Sequence, residues 1–308
     1  MPRYSVHGLA IDADFEIPEL SVVSAPVVLD ERPVRIAFAS VPKSIAHTAV
    51  SKDGYLIGKD EILIVLEDGT RCHIQNAETV TIEVGRKGNN PQARFFALSA
   101  GIGCILHQRG FIPLHCTAVD TPRGCVALCG NAGDGKSTLA ASFAARGLQL
   151  FTDDRLTLHR TVAHQFLAVP STPTLHLYSE ASILSGLGDD NLAMDSYRFG
   201  KHVHLVPDSY TTTPKPMAGL YFTDWLTDET SDPKIITMTP IEAMMRLRRD
   251  VSLSHLVQLL DQERDFMEWA AKLCATVPAF HLLRPRNKKR HHECMDLIIS
   301  HLHATFTP

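Results

Sequence analysis

The sequence lacks three features that would assign it to a common class of protein: a long apolar run, paired cysteines and an excess of positive charge. None of its segments has about 18 consecutive apolar residues, the length that crosses a bilayer as a helix. Residues 1–20 carry four acidic residues and have neither the basic nor the apolar region of a secretion signal. We therefore expect a cytoplasmic protein with no membrane partner.

Seven cysteines are present, an odd number, and no two of them stand in a C-x-x-C pair. This pattern argues against a complete disulfide framework and against a zinc ribbon. We expect the cysteines to be small buried side chains in a reducing compartment.

The chain has 30 Lys and Arg against 34 Asp and Glu, a formal charge of −4. This balance gives no overall field that would hold a polyanion, so we expect no nucleic-acid partner, and any phosphate must be bound locally. The length of 308 residues and the hydrophobic fraction of 44% are those of a folded globular protein with about two domains.

Two regions differ in pattern and predict two domains. Residues 1–88 contain short runs of β-branched and apolar residues between turn signals, which predicts a small β-rich N-terminal domain with a hairpin at Glu61 to Leu66 and Asp68-Gly69. Residues 89–308 alternate apolar runs with helical segments, which predicts an α/β domain. We expect its first helix to have Asn90 as N-cap and Pro91 at the first helical position.

The strongest signal lies between an apolar strand predicted at 125–129 and a helix predicted at 137–145. The intervening residues match the phosphate-binding pattern G-x-x-x-x-G-K-[ST] in full. In such a loop the backbone N–H groups cradle phosphates at the helix N-terminus, Lys136 reaches the terminal phosphates, and the Ser137 hydroxyl ligates Mg²⁺. We expect the Asp134 side chain to point out of the loop, because its charge would repel phosphate. The residues predicted to bind ATP are Gly130, Asn131, Ala132, Gly133, Asp134, Gly135, Lys136, Ser137 and Thr138.

Asp153 and Asp154 follow a strand predicted at 148–151, soon after the helix of the loop. A strand parallel and adjacent to the loop strand would bring both carboxylates beside the γ-phosphate, where one can bind Mg²⁺ and the other can accept the proton of an attacking hydroxyl. The alternative is an acidic pair that only caps a turn. His115 lies on the apolar strand before the loop strand, where it is either a partner of the base or a hydrogen-bonded core residue.

Other basic residues are candidates for a further phosphate contact. A transferring phosphoryl group usually needs a cation beyond the loop lysine, and Lys201 or Arg198 would supply it; the alternative is a strand edge blunted by positive charge. Arg155 either reaches a phosphate or is a solvated turn residue. We expect the basic run from Arg284 to Arg290 to be a solvated loop; the alternative is a docking site for an acidic peptide or the other subunit.

Residues 109–115, the loop 130–137, Arg146-Gly147 and Asp153-Asp154 together resemble the carboxy-terminal domain of HPr kinase/phosphorylase and its shorter relatives, above all the kinase-like proteins associated with lasso-peptide biosynthesis. The resemblance implies an α/β fold with an HPr-kinase-like P-loop kinase domain behind the small β-rich region. It also implies ATP as phosphoryl donor, Mg²⁺ as metal and a homo-oligomer. For the site residues, the resemblance implies that Asp153 is the base, that His115 and Lys136 assist catalysis, and that Ser137 and Asp154 hold the metal. The opposite assignment of roles to Asp153 and Asp154 stays open.

The predicted function is an ATP- and Mg²⁺-dependent kinase acting on a hydroxyl of a peptide or protein, above all a serine near the carboxy terminus of a lasso precursor peptide. Two alternatives remain: a kinase of an HPr-like protein or small metabolite, and a regulator that senses nucleotide without phosphoryl transfer. A sensor has no need of two acids and a histidine at the γ-phosphate, so the sequence favours the enzyme.

Overall fold

The computed structural model describes residues 3–21, 27–45, 50–52, 54–58, 60–161, 163, 165–187 and 201–307. Within these ranges the chain is a mixed α/β protein with two large sheets, a two-stranded sheet and helices packed around them. No helix in these ranges is long and apolar enough to cross a membrane. Arg198, a candidate phosphate contact, lies outside the described residues.

The first sheet is built from the amino-terminal part of the chain. Its strands are β1 (Arg3–Val6), β2 (Leu9–Ala13), β3 (Asp30–Phe38), β4 (Val50–Lys52), β5 (Tyr55–Ile57), β6 (Glu61–Val65), β7 (Arg71–Gln75) and β8 (Thr79–Glu83), and a short helix α1 (Pro18–Ser21) follows β2. The spatial order is β1-β2-β3-β8-β7-β6-β5-β4, with β3 parallel to both of its neighbours. The predicted hairpin is confirmed, because Glu61 pairs with Gln75 and Val65 with Arg71.

A helical stretch covers this sheet. It consists of α2 (Asn90–Phe96), a π-helical turn (Ala97–Gly101) and α3 (Ile102–Gln108), and its inner side chains share one core with the sheet. The N-cap is Asn89, whose extended backbone lets its side chain accept the Gln92 N–H at 2.9 Å, so the prediction of Asn90 as cap is wrong by one residue. The domain division at residue 88 stays a prediction.

The second sheet contains the strands that surround the phosphate-binding pattern. They are β9 (Leu114–Thr121), β10 (Gly124–Cys129), β11 (Leu150–Thr152), β12 (Arg155–Arg160), β13 (Phe166–Val169), β16 (Lys215–Leu226), β17 (Lys234–Met238) and β18 (Ala279–Pro285), while β14 (Thr174–Leu177) and β15 (His202–Leu205) form a separate pair. The order is β10-β9-β12-β13-β16-β18-β17, and β11 pairs with β9. The long strand β16 also runs parallel to β10, which gives the loop strand a neighbour on both sides.

Helices cover both faces of the second sheet. They are α4 (Lys136–Ala145), α5 (Ser179–Ser185), α6 (Pro240–Leu247), α7 (His255–Leu259), α8 (Glu263–Thr276) and α9 (His291–Phe306). Alternate residues of a strand point to opposite faces, so Val126 and Leu128 of β10 pack with α4 and α9, while Cys125 and Ala127 pack with α6 and α8. All seven cysteines are buried and free, which confirms their predicted burial.

Three chain segments meet at one edge of this sheet. The phosphate-binding pattern follows the carboxyl end of β10, and β9 begins at the same edge because it is antiparallel to β10. Strand β11 is antiparallel to β9 and ends there too. The prediction that β11 lies directly beside the loop strand is wrong, since β9 lies between them. Because β9 is antiparallel to both strands, β10 and β11 run in the same direction and end at the same edge of the sheet.

Candidate active site

The loop between β10 and α4 is shaped by two glycines. Gly133 and Gly135 have φ angles of 91° and 74°, in the left-handed region that only glycine adopts readily. Gly135 is the N-cap residue of α4, so the helix begins at Lys136 with its free N–H groups directed at the loop. The sequence thus folds locally into the strand–loop–helix unit that its pattern predicts.

The Lys136 side chain is folded onto this loop. Its Nζ donates to the main-chain oxygens of Gly130 at 2.6 Å and Asn131 at 2.9 Å. Burial lowers the pKa of the ammonium group. The charge is therefore held inside the loop.

The Asp134 side chain is buried and turned back onto the loop, where its Oδ2 accepts the Asn131 N–H at 2.5 Å. It points away from the cavity described below, as its charge requires, but into protein and not into solvent. Arg284 of β18 contacts the same residue, because its guanidinium donates to the main-chain oxygen of Asp134. The Arg284 Cζ also lies 4.5 Å from the centre of the Trp225 ring, over its face. Arg284 is buried, so the prediction that it belongs to a solvated loop is wrong.

The two acids lie in a tight turn that Thr152 holds. The Thr152 Oγ1 accepts the N–H groups of Asp154 at 3.2 Å and Arg155 at 3.1 Å. The same hydroxyl lies 3.0 Å from that of Ser171. Because the turn is fixed at its start, the two carboxylates leave the chain in different directions and enter different surroundings.

Asp153 is directed into the protein and is only 5% exposed. Its Oδ2 accepts the His176 N–H at 3.2 Å, and its buried Oδ1 has no hydrogen-bond partner among the described residues. Burial raises the pKa of Asp153 to about 7, although the His176 amide and the Ser137 hydroxyl favour the charged form. This carboxyl therefore lies where an added cation would stabilise its charge.

Asp154 is half-exposed and lies against His115. The His115 Nδ1 is 3.3 Å from Asp154 Oδ1 and 3.0 Å from the Asp154 main-chain oxygen. Partial loss of solvent opposes ionisation of Asp154, but the hydrogen bond from His115 and the charge of Arg155 hold its pKa well below the usual range. Of the two acids, it is Asp154 that the structure pairs with His115.

One cavity of about 760 Å³ brings most of the predicted site residues together. The predicted site residues on its wall are His115, Ala132, Gly133, Gly135, Lys136, Ser137, Thr138, Asp153, Asp154 and Lys201, and His176, Ser179, Glu180 and Lys288 are further polar residues there. Among the described loop residues, Gly130, Asn131 and Asp134 lie outside this wall and support the loop from behind. The arrangement places a cation, helix N–H groups, two carboxylates and an imidazole around one space, which suits chemistry on a phosphoryl group.

One buried acid near Lys136 escaped the sequence analysis. Asp250 is 3% exposed and follows α6. The next residues are tied to the start of β9, because Val251 forms a β-bridge with Leu114 and the Ser252 N–H donates to the Pro113 oxygen at 2.8 Å. Burial raises the pKa of Asp250 to about 6, against the charges of Arg246 and Lys136. Its sequence position, at the end of an amphipathic helix, gives no signal that its carboxyl is buried near Lys136.

Arg155 follows the acidic pair directly, and both predictions made for it are wrong. It is buried, its Nε donates to Ser252 Oγ at 3.0 Å, and its Nη1 donates to the Ser99 oxygen at 2.6 Å. Arg155 therefore anchors the acidic turn to the helical stretch over the first sheet.

Comparison with known proteins assigns no family to this chain. No family model matches the chain, and no curated protein sequence matches it. Among solved structures, the HPr(Ser) kinase/phosphatase from Coxiella burnetii is 15% identical, with a TM-score of 0.33, over 61% of this chain and 95% of that chain. An identity and a TM-score this low do not establish a shared activity.

Proposed function

We propose that this protein is a Mg·ATP-dependent phosphotransferase that moves the γ-phosphoryl group of ATP to a hydroxyl of a peptide or protein. The observation that carries the proposal is the single cavity in which Lys136 and Ser137 face Asp153, Asp154 and His115. Each of these groups has a role in phosphoryl transfer, and the roles differ, so their meeting is more informative than any one of them.

The loop and the amino end of α4 would bind the ATP phosphates. Free N–H groups and the helix dipole favour negative charge at this point. Lys136 would leave the carbonyl oxygens of Gly130 and Asn131 and donate to the terminal phosphates, a short movement for a flexible side chain. Lys201, on the cavity wall, would supply the second cation.

The donor set beside the loop fits magnesium. Mg²⁺ prefers oxygen ligands and is usually held by one or two carboxylates together with substrate phosphates. The Ser137 hydroxyl lies beside Asp153, whose Oδ1 is buried without a hydrogen-bond partner among the described residues. Asp153 and Ser137 would therefore hold the ion, which when bound neutralises charge on the phosphates.

Asp154 and His115 would serve the acceptor. Asp154 is half-exposed, so a hydroxyl of another molecule can reach it, and the contact with His115 fixes its orientation. As the acceptor oxygen forms its bond to the γ-phosphorus and the bond to ADP breaks, the hydroxyl proton passes to Asp154. These roles are the reverse of those that the family resemblance implies for the two acids. The alternative is that Asp153 is the base and Asp154 holds the metal.

The acceptor we propose is a serine of a peptide, above all a serine near the carboxy terminus of a lasso precursor peptide. This part rests on the sequence resemblance to the short peptide-modifying kinases and on the order of a β-rich region before the loop region. An HPr-like protein or a small metabolite would use the same groups around the phosphate and differ only in what fills the rest of the cavity.

The test is transfer itself. The protein is incubated with Mg·ATP and peptides that end in serine or, as matched controls, in alanine, and the products are examined by mass spectrometry. We expect one phosphoryl group on the serine peptides only. Tight Mg·ATP binding without transfer to peptides, HPr-like protein or small hydroxyl compounds would favour the nucleotide sensor.

A further inference from the structure

The cavity has a second wall that phosphate chemistry does not use. Where β14 ends and α5 begins it is lined by Leu177, Tyr178, Ala181 and Leu184, with the polar residues His176, Ser179 and Glu180 along the same segment. A volume of about 760 Å³ lies within the range of roughly 300–1,000 Å³ that is typical of sites which enclose a whole small ligand. A chain of phosphates needs no apolar wall, so this one indicates a ligand with an apolar, flat part.

Tyr178 is the aromatic side chain on this wall. It is 53% exposed, and Lys201 Nζ lies 5.3 Å from the centre of its ring. A single exposed tyrosine is ordinary on a protein surface. Here, however, the ring shares a cavity with the phosphate loop, and a cation lies over it that can also approach a phosphate.

The wall is close to Thr138 in the first turn of α4, where we would place the α-phosphate. In loops of this type the lysine reaches the β- and γ-phosphates, while backbone N–H groups at the start of the helix hold the α- and β-phosphates. Helix α5 packs on α4, and Thr138 of α4 lines the same cavity as Ala181 and Leu184 of α5. The nucleoside part of a bound nucleotide would then meet α5.

We propose that the Tyr178 ring is the platform on which the nucleobase of the nucleoside triphosphate stacks, with Leu177, Ala181 and Leu184 completing the base subsite. This inference rests on the proposed function. A purine suits the platform better than a pyrimidine because its larger π-face covers more of the ring. Stacking of a base on an aromatic side chain is worth about 1–3 kcal/mol by alanine substitution.

The experiment compares two ligands that share phosphates and differ in the base. Calorimetric titration of Mg·ATP and of Mg·tripolyphosphate is carried out on the wild type, Tyr178→Ala and Tyr178→Phe. We expect Tyr178→Ala to weaken Mg·ATP binding by roughly 5- to 150-fold and to leave tripolyphosphate affinity unchanged. Tyr178→Phe keeps the ring and should keep most of the ATP affinity.

Ile183→Ala is the matched control, because Ile183 lies on the same helix, is 79% exposed and is not among the described residues of the cavity wall. It should bind both ligands as the wild type does. Equal weakening of both ligands by Tyr178→Ala, or no change in either, would overturn the base subsite. An increase in acceptor KM with unchanged ATP affinity would overturn it as well and assign the ring to the acceptor.

Failure of the two proposals looks different in this experiment. If the wild type binds neither ligand, the proposed function fails and the base subsite fails with it. If the wild type binds both ligands equally well, the phosphate loop works and only the base subsite is refuted.

Discussion

His115 Nδ1 lies 3.0 Å from the main-chain oxygen of Asp154 and 3.3 Å from its carboxylate, so one ring nitrogen faces both oxygens of a single residue. A nitrogen that carries a proton donates to both acceptors, and this fixes the direction of the carboxylate. His115 is therefore a positioning residue for Asp154 in the proposed reaction.

The first prediction concerns this pair. His115→Ala should lower kcat by about 10- to 10³-fold, because the base loses its orientation, while KM for ATP changes little. His115→Gln retains a donor of similar reach and should recover part of the loss. Steady-state kinetics and melting temperatures are measured on both variants; a lower melting temperature with normal kcat would show that the histidine only stabilises the fold.

The second prediction separates the two acids. Asp153→Asn should raise the Mg²⁺ concentration needed for half-maximal activity, and excess Mg²⁺ should restore part of the rate, because a ligand is weakened. Asp154→Asn should bind Mg·ATP normally and lose transfer by about 10²- to 10⁴-fold, because a proton acceptor is lost. Nucleotide titrations at several Mg²⁺ concentrations distinguish the variants, and the reverse pattern would return the base to Asp153.

The third prediction concerns stability against pH. The folded-state pKa of Asp153, about 7, is above its ordinary value of 3.8, so the unfolded chain gives up this proton first. The contribution of Asp153 to the free energy of unfolding should therefore fall as pH rises from about 4 to about 7, by at most about 4 kcal/mol, and stay lower above pH 7. Burial lowers the pKa values of His7, His107 and His291 to about 3, 4 and 4, so these histidines contribute a slope of the opposite sign, and the comparison of wild type with variant isolates Asp153. Asp153→Asn should melt a few degrees higher than the wild type at pH 8 and equally at pH 4, measured without Mg²⁺.

Asp250 adds a slope of the same sign, since its pKa is raised to about 6. In both wild type and Asp153→Asn, Asp250 therefore offsets part of the opposite slope from the buried histidines between about pH 4 and pH 6, and it cancels from the difference between the two proteins. A variant that melts lower than the wild type at pH 8 would show that the Asp153 carboxylate is stabilised by a partner and not strained by burial.

The fourth prediction concerns the loop lysine. Lys136→Ala should reduce transfer by at least about 10²-fold, because a preorganised cation at the phosphates is lost. Its two hydrogen bonds to loop carbonyls are local, so the fold should persist. Lys272→Ala on α8, where the lysine is half-exposed and pairs with Glu268 at 3.7 Å, is the control and should transfer normally. Equal turnover in both variants would contradict the phosphate role.

The local parts of the site could be predicted from sequence. The loop between β10 and α4 depends on glycines and a helix start that lie within a few residues of each other, and the hairpin of β6 and β7 depends on a nearby turn. Sheet order depends on distant pairings, and so the position of β9 between β10 and β11 could not be read from their spacing.

Burial of charge was the least predictable feature. The sequence predicts Arg155 and Arg284 to be exposed to solvent, but both are buried against residues that are distant in the sequence. Arg155 donates to Ser99 and Ser252, and Arg284 donates to Asp134. The choice of Asp154 as the partner of His115 depends on the turn that Thr152 holds. A sequence with two adjacent acids contains no signal that distinguishes them in this way.

The contacts of Arg155 have a consequence for how the molecule unfolds. The Arg155 guanidinium donates to Ser99 in the π-helical turn and so links the acidic turn to it. Other residues of the π-helical turn belong to the core of the first sheet. Melting of the first sheet would leave a buried charge without its acceptor, which is costly, so the two sheets are coupled into one cooperative unit. A protease cut or a destabilising substitution in the first sheet should then also lower the stability of the turn that holds Asp153 and Asp154. Amide hydrogens around Asp153 and around Ser99 should show equal protection from exchange.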